Sequence, residues 1–151
     1  MIRVVFDTVV FVRSLINPRS IAGRLVFLHS HRYQLFLSKP VLLEILEVLR
    51  RPELTRKFHT LHGMDMRAIL GILAQAQVVD IAEIPPVSRD EKDDKFLATA
   101  AAADANFLVS DDQDLLVLGE YHGVRIVDTL RFLSLLEQHG RPIPPPEDLH
   151  A

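Results

Sequence analysis

Five short apolar runs recur along this chain: IRVVF (2–6), QLFLS (34–38), QVVDI (77–81), FLVS (107–110) and VRIV (124–127). Each has the length and the Val, Ile, Leu and Phe content of a buried strand. Segments long enough for a helix separate them. SIAGRLVFLHSHR (20–32) sets Ile21, Leu25 and Leu28 at helical spacing. KPVLLEILEVLRR (39–51) carries Pro40 in its first turn, Arg50 and Arg51 in its last, and Pro52 as a stop. MDMRAILGILAQ (64–75), weakened by Gly71, the Ala-rich EKDDKFLATAAAAD (91–104) and TLRFLSLLEQHG (129–140) complete the set. Asp128 or Thr129 can cap the last, and Gly140 can end it. Strands that alternate with helices predict a mainly parallel sheet covered on both faces.

Residues 1–140 read as one domain, and the segment 141–151, with four of the nine prolines, as a flexible extended arm. No apolar run reaches the roughly 18 residues of a membrane span. The opening MIRVVFDTVVFV reads as a first strand rather than a signal peptide, because Asp7 interrupts it and no small-residue cleavage site follows. There is no cysteine, which excludes disulfides, thiolate metal sites and thiol chemistry and fits a cytoplasmic protein. The net charge is -3, so a nucleic-acid partner needs a local basic surface.

The segment 89–116, RDEKDDKFLATAAAADANFLVSDDQDLL, holds seven aspartates beside apolar runs. Each acidic position has a structural reading and a chemical one. Asp7 follows a strand, where open α/β sheets place their sites, but can equally cap the next helix. Glu44 borders the apolar face of its helix beside Val41 and Val48; it can serve a site, or reach water or Arg51. Asp93 and Asp94 stand in a first helical turn, which favours acids anyway. Asp94 continues the stripe of Leu97, Ala98 and Ala101, yet helical phase alone does not choose between the two. Asp111, Asp112 and Asp114 follow FLVS, with Asp112 as cap of a short helix. In a parallel sheet Asp7, Asp94 and Asp111 or Asp112 share one edge. Carboxylates gathered there repel one another, and a hard divalent cation such as Mg²⁺ or Mn²⁺ is the usual compensation.

The seven histidines, His29, His31, His59, His62, His122, His139 and His150, are scattered, and His29-x-His31 has no convincing third ligand for zinc. No glycine-rich phosphate loop, G-x-S-x-G or H-E-x-x-H occurs. Ser38 and Ser110 read as polar neighbours of the carboxylates.

FDTVVFVRSLINP, LSKPVLLEILEVLRRPEL and the acidic segment, in that order and spacing, resemble the successive motifs of PIN-domain nucleases, in particular single-domain prokaryotic members that are toxins of toxin–antitoxin pairs. The resemblance covers about residues 2–133. It implies an α/β fold, a PIN-like three-layer α/β/α arrangement with a central, mainly parallel sheet of about five strands. It implies an endoribonuclease whose acidic cluster binds Mg²⁺ or Mn²⁺. Carried over motif by motif, Asp7, Glu44, Asp94 and Asp112 are the catalytic and metal-binding carboxylates. Asp94 is chosen over Asp93 by its spacing to Asp112. Asp93 and Asp114 are further metal candidates, and Thr8 and Ser110 support the cluster. Asp7, Asp94 and Asp112 would hold one ion, with Glu44 placing a second ion or a water. Two positions depart from the family pattern: Val9 stands where Asn is usual, and Asp111 where a small or neutral residue is common.

Lys92, Lys95, Lys39 and Arg13, with Arg19 and Arg89, are candidates for contact with RNA. A cognate antitoxin and a homodimer are the partners the resemblance implies, and no membrane is expected. Val9, Val12 and Ile16 share one side of their segment, assigned here to the core, with a dimer interface as the alternative. Two other functions compete. One is an inactive PIN-like module that binds RNA or protein. The other is a haloacid-dehalogenase-like phosphatase, suggested by FDTVV and SDDQD but lacking the second Asp two residues after Asp7.

Overall fold

The computed structural model of the chain describes residues 1–54 and 63–139. His59, His62, Gly140 and the segment 141–151 lie outside the described residues. Four of the expected strands form as β1 (Ile2–Phe6), β2 (Tyr33–Leu37), β4 (Phe107–Val109) and β6 (Val124–Val127); the run 77–81 gives only a two-residue, exposed edge strand, β3 (Gln77–Val78), and an additional β5 (Glu120–Tyr121) joins at the other edge. The sheet order is β3-β2-β1-β4-β6-β5. Every neighbouring pair is parallel except β5 with β6. That last pair is a tight hairpin through His122 and Gly123, at φ 50 and 83. Two left-handed residues give the turn whose twist matches paired strands, and glycine and histidine both tolerate the conformation.

The helices are α1 (Thr8–Ile16), α2 (Ile21–Gly23), α3 (Lys39–Leu49), α4 (Gly63–Gln75), α5 (Asp94–Ala102), α6 (Gln113–Leu116) and α7 (Thr129–His139). Asp128 caps α7, accepting from the Arg131 N–H at 2.7 Å. The single helix expected over 20–32 is broken into α2, a π-helical turn Arg24–Leu28 and a 3-10 turn Ser30–Arg32. The π turn buries Leu25 and Val26 together and leaves Leu28 61% exposed, so the simple helical spacing does not hold. Backbone contact tightens this region: a Cβ on Gly23 would lie 2.1 Å from the Pro18 carbonyl oxygen. Gly23→Ala is therefore expected to lower stability by ~1–3 kcal/mol. Urea unfolding should show a lower midpoint at unchanged slope; an unchanged midpoint would mean that the Pro18 loop yields freely.

One face of the sheet carries an aromatic cluster. Phe6 meets Phe11, Tyr33 and Phe132 at ring separations of 5.8, 5.1 and 5.9 Å, and Phe107 meets Phe132 at 5.7 Å. This cluster seats α1 and α7. On the opposite face α5 lies between the sheet and α3, and Phe96, Leu97, Ala98, Thr99 and Ala100 are all buried. Small side chains let that helix come close on every side. In α1 the buried residues are Thr8, Val10, Phe11, Ser14 and Leu15. Val9 and Ile16 are about half exposed, so the side assigned to core from the sequence faces outward.

From β1 the chain steps outward through β2 to β3, then returns through α5 to β4 on the other side of β1. The order of the sheet reverses between β1 and β4. In open α/β sheets a crevice opens at such a point, outside the carboxyl ends of the strands. Asp7 and Ser110 flank it.

Candidate metal centre

Asp7 caps α1: its Oδ1 accepts from the Val9 N–H at 2.6 Å. Its Oδ2 reaches across the crevice and accepts from the Ser110 hydroxyl at 2.6 Å. One carboxylate thus fills both the capping and the site position. Burial pushes the Asp7 carboxyl above its usual range, the bonds from Ser110 and Val9 oppose that, and Asp112 and Glu44 push it up further. Ser110 is fully buried and also accepts from the Asp112 N–H at 3.0 Å. Asp112 caps α6, accepting from the Asp114 N–H at 2.9 Å.

Glu44 projects from α3 into the same region. One oxygen accepts from the Thr8 hydroxyl, and the other pairs with the Lys95 ammonium at 2.6 Å. Arg51, its alternative partner, pairs with Glu47 instead, one helical turn away at 3.1 Å.

The adjacent aspartates at the start of α5 diverge. Asp94 is buried and accepts from the Ser88 N–H at 2.7 Å, which anchors the preceding loop. Asp93 faces the crevice. Its carboxyl is pushed up to about 7 by burial first, then by the charge and hydrogen bonding of Asp112, then by Asp90 and Asp7. Its buried Oδ2 takes no hydrogen bond from an N–H or hydroxyl donor among the described residues, and the contact this carboxyl makes is with the carboxyl of Asp112. Oxygens of Asp90, Asp93 and Asp114 also lie within 4.8 Å of one another. The close set of oxygens is that of Asp90, Asp93 and Asp114, and Asp7, Glu44 and Asp112 are linked to it electrostatically, Asp112 through both Asp93 and Asp7. Asp94, singled out from the motif spacing, has its mapped hydrogen bond on the loop side. Asp90 is the acidic residue the sequence reading left aside; its own signal is its place as cap of the 3-10 turn, bonded to the Lys92 N–H at 3.0 Å.

Asp111 adds no free charge. It accepts from the Thr129 N–H at 2.9 Å and pairs with Arg13 at 2.6 Å, tying the end of β4 to α7 and α1. Asp7, Val9, Val10, Arg13, Asp111 and Asp112 line a pocket of about 220 Å³. Val9 stands at this pocket through an apolar, half-exposed side chain and offers no side-chain hydrogen bond where an Asn would. The Ser38 hydroxyl shares a hydrogen bond with that of Thr99 on α5 at 2.7 Å. Of the cations proposed for RNA, Arg13, Lys95 and Arg89 are paired with Asp111, Glu44 and Asp114, while Lys39 and Lys92 are exposed. The described histidines join no acidic cluster close enough to share an ion.

The fold is a mainly parallel sheet flanked by helices, with an acidic crevice at its switch point. A PIN domain family model matches residues 3–114, and the chain belongs to that family, whose members are generally nucleases. The crystal structure of PAE2754 from Pyrobaculum aerophilum has the same fold, with a TM-score of 0.57 and 14% identity over 91% of this chain and 90% of that one. Nothing among curated proteins matches the chain. Family membership displaces the haloacid-dehalogenase-like alternative. The described residues include no helix long and apolar enough to cross a membrane.

The residues fit a divalent metal. The donors are all hard carboxylate oxygens, the set Mg²⁺ and Mn²⁺ prefer. A buried carboxylate oxygen without an N–H or hydroxyl donor is costly unless a ligand completes it, and Asp93 Oδ2 is one, aimed among other acids.

Proposed function

We propose that this protein is a metal-dependent endoribonuclease working in the crevice between β1 and β4. The donor-free Oδ2 of Asp93, held beside Asp7 and Asp112, is the observation that carries the reading. Asp7, Asp93 and Asp112 would hold Mg²⁺ or Mn²⁺, with Asp90 and Asp114 next to them. When bound, such an ion supplies the Lewis acidity that activates water and the charge that stabilises a phosphodiester transition state. The protein contributes positioning. Ser110 fixes the rotation of Asp7 and the approach of Asp112 at once, and Thr8 fixes Glu44. No side-chain nucleophile is required. Exposed Lys39, Lys92 and Arg19 are basic groups that can meet an RNA backbone. A toxin role with a cognate antitoxin, and a homodimer formed through the exposed Val9–Ile16 side of α1, belong to the same proposal.

The test is cleavage of a mixed set of labelled RNAs with Mn²⁺ or Mg²⁺, comparing wild type, Asp112→Asn and wild type in EDTA. Cleavage lost in both comparisons supports the reading. Cleavage equal in all three means a contaminating ribonuclease. No cleavage with wild type favours a PIN-like binding module, a reading that Val9 and the paired state of Arg13 and Lys95 also support.

Ser110→Ala removes the hydroxyl that orients Asp7 and accepts from Asp112. Loss of such a partner typically costs about 10–100-fold in metal affinity or activity. Mn²⁺ titration should show a weaker site in the variant, with the fold retained by circular dichroism; unchanged affinity would mean that the carboxylates hold their positions unaided.

A further inference from the structure

Among the described residues, one cation is paired with a member of the set Asp7, Glu44, Asp93 and Asp112: Lys95, whose ammonium lies 2.6 Å from Glu44. Arg13 and Arg89 are paired with Asp111 and Asp114, and their side chains are 52% and 68% exposed. The Lys95 side chain is 18% exposed and that of Glu44 28%, so this pair sits deeper and is less screened. Thr8 holds the other Glu44 oxygen, which fixes the carboxylate towards Lys95. Lys95 is two residues after Asp93, so the first turn of α5 brings a ligand candidate and an ammonium to the same centre.

Charge then divides the site into two halves. Asp7, Asp93 and Asp112 act on one another, and among the described residues no ion pair joins any of the three to a cation. Glu44 has one already. A divalent ion is attracted to the first half and repelled from the second by the fixed ammonium.

We propose that Lys95 is a positioning residue that serves as a built-in monovalent cation on the Glu44 side, so that the centre takes one divalent ion per chain instead of two. This rests on the nuclease reading above. Without Lys95, Glu44 becomes an uncompensated, partly buried carboxylate bonded to Thr8 alone, and it recruits a second ion.

The test counts Mn²⁺ bound per intact chain from the loss of the free-ion electron paramagnetic resonance signal. Wild type and Lys95→Arg should bind one ion, Lys95→Met two, and Lys95→Met combined with Glu44→Gln one again. A purely structural Lys95 would lower the urea midpoint of Lys95→Met without changing the count. A count of one in Lys95→Met, or of two in wild type, overturns the inference and leaves the nuclease reading standing. No Mn²⁺ bound by wild type overturns both. The wild-type count decides even where Lys95→Met fails to fold.

Discussion

Asp93→Asn should abolish Mn²⁺ binding and reduce RNA cleavage by more than the roughly 10–100-fold expected from losing a mere supporting hydrogen bond. The neighbouring Asp94→Asn should stay within about tenfold of wild type on the same scale. Asp93 turns a buried, donor-free oxygen toward Asp112 and Asp7, so replacing that oxygen with an amide removes a ligand and places N–H donors where a cation belongs. Asp94 uses its Oδ1 to accept from the Ser88 N–H, a task the Asn carbonyl can still perform. Isothermal titration with Mn²⁺ and a labelled-RNA cleavage series on both variants decide the matter. The reverse outcome, loss with Asp94→Asn and retention with Asp93→Asn, would restore the assignment made from spacing along the chain and sink the one made from the fold.

That reversal shows where the sequence stops being readable. The central strands are legible because both faces of a parallel sheet are covered, so β1 and β4 read as mainly apolar runs, whereas the edge strand β3 is exposed and shorter than its apolar run. β5 was not legible, since two residues show no period and the Tyr121-His122-Gly123-Val124 turn lacks the strong Asn-Gly or Asp-Gly signal. Asp7, Ser110 and Asp112 could be placed because they directly follow strands whose carboxyl ends share one edge. Asp93 and Asp94 could not be separated. Helical phase alone does not choose between them, and the residues up to Asp93 form a 3-10 turn, Glu91–Asp93, where three residues rather than 3.6 complete a turn. Partners on other elements were equally hidden. Nothing local in α3 says that Glu44 meets Lys95 instead of Arg51, or that Asp111 is neutralised by Arg13. The inward assignment of Val9 and Ile16 failed for a related reason: α1 has apolar residues on two sides, and only packing of Phe11 against Phe6 determines which side is covered.

Mn²⁺ binding should weaken about tenfold for each pH unit below about 7, giving roughly a hundredfold loss between pH 7 and pH 5, and should level off above that. The Asp93 carboxyl is pushed up to about 7 from a usual value of 3.8, chiefly by burial and then by Asp112. Below that pH the site carries a proton that a metal must displace. The same shift sets the stability of the metal-free protein. Between the unfolded value near 3.8 and the folded value near 7, the native state binds more protons than the unfolded chain. The stabilisation from Asp93 is therefore complete below about pH 4 and is lost as the pH rises to 7. The raised Asp7 carboxyl acts in the same direction. Melting temperatures in EDTA should consequently carry a falling contribution from pH 4 to 7, while saturating Mn²⁺, which binds the ionised carboxylates, should stabilise most at the upper end. Asp93→Asn should flatten the EDTA slope and remove the Mn²⁺ effect together. A wild-type Mn²⁺ affinity that is constant between pH 5 and 7 would mean that Asp93 is already ionised there, and its carboxyl could not be the protonated ligand that the crowding of Asp112, Asp90 and Asp7 requires.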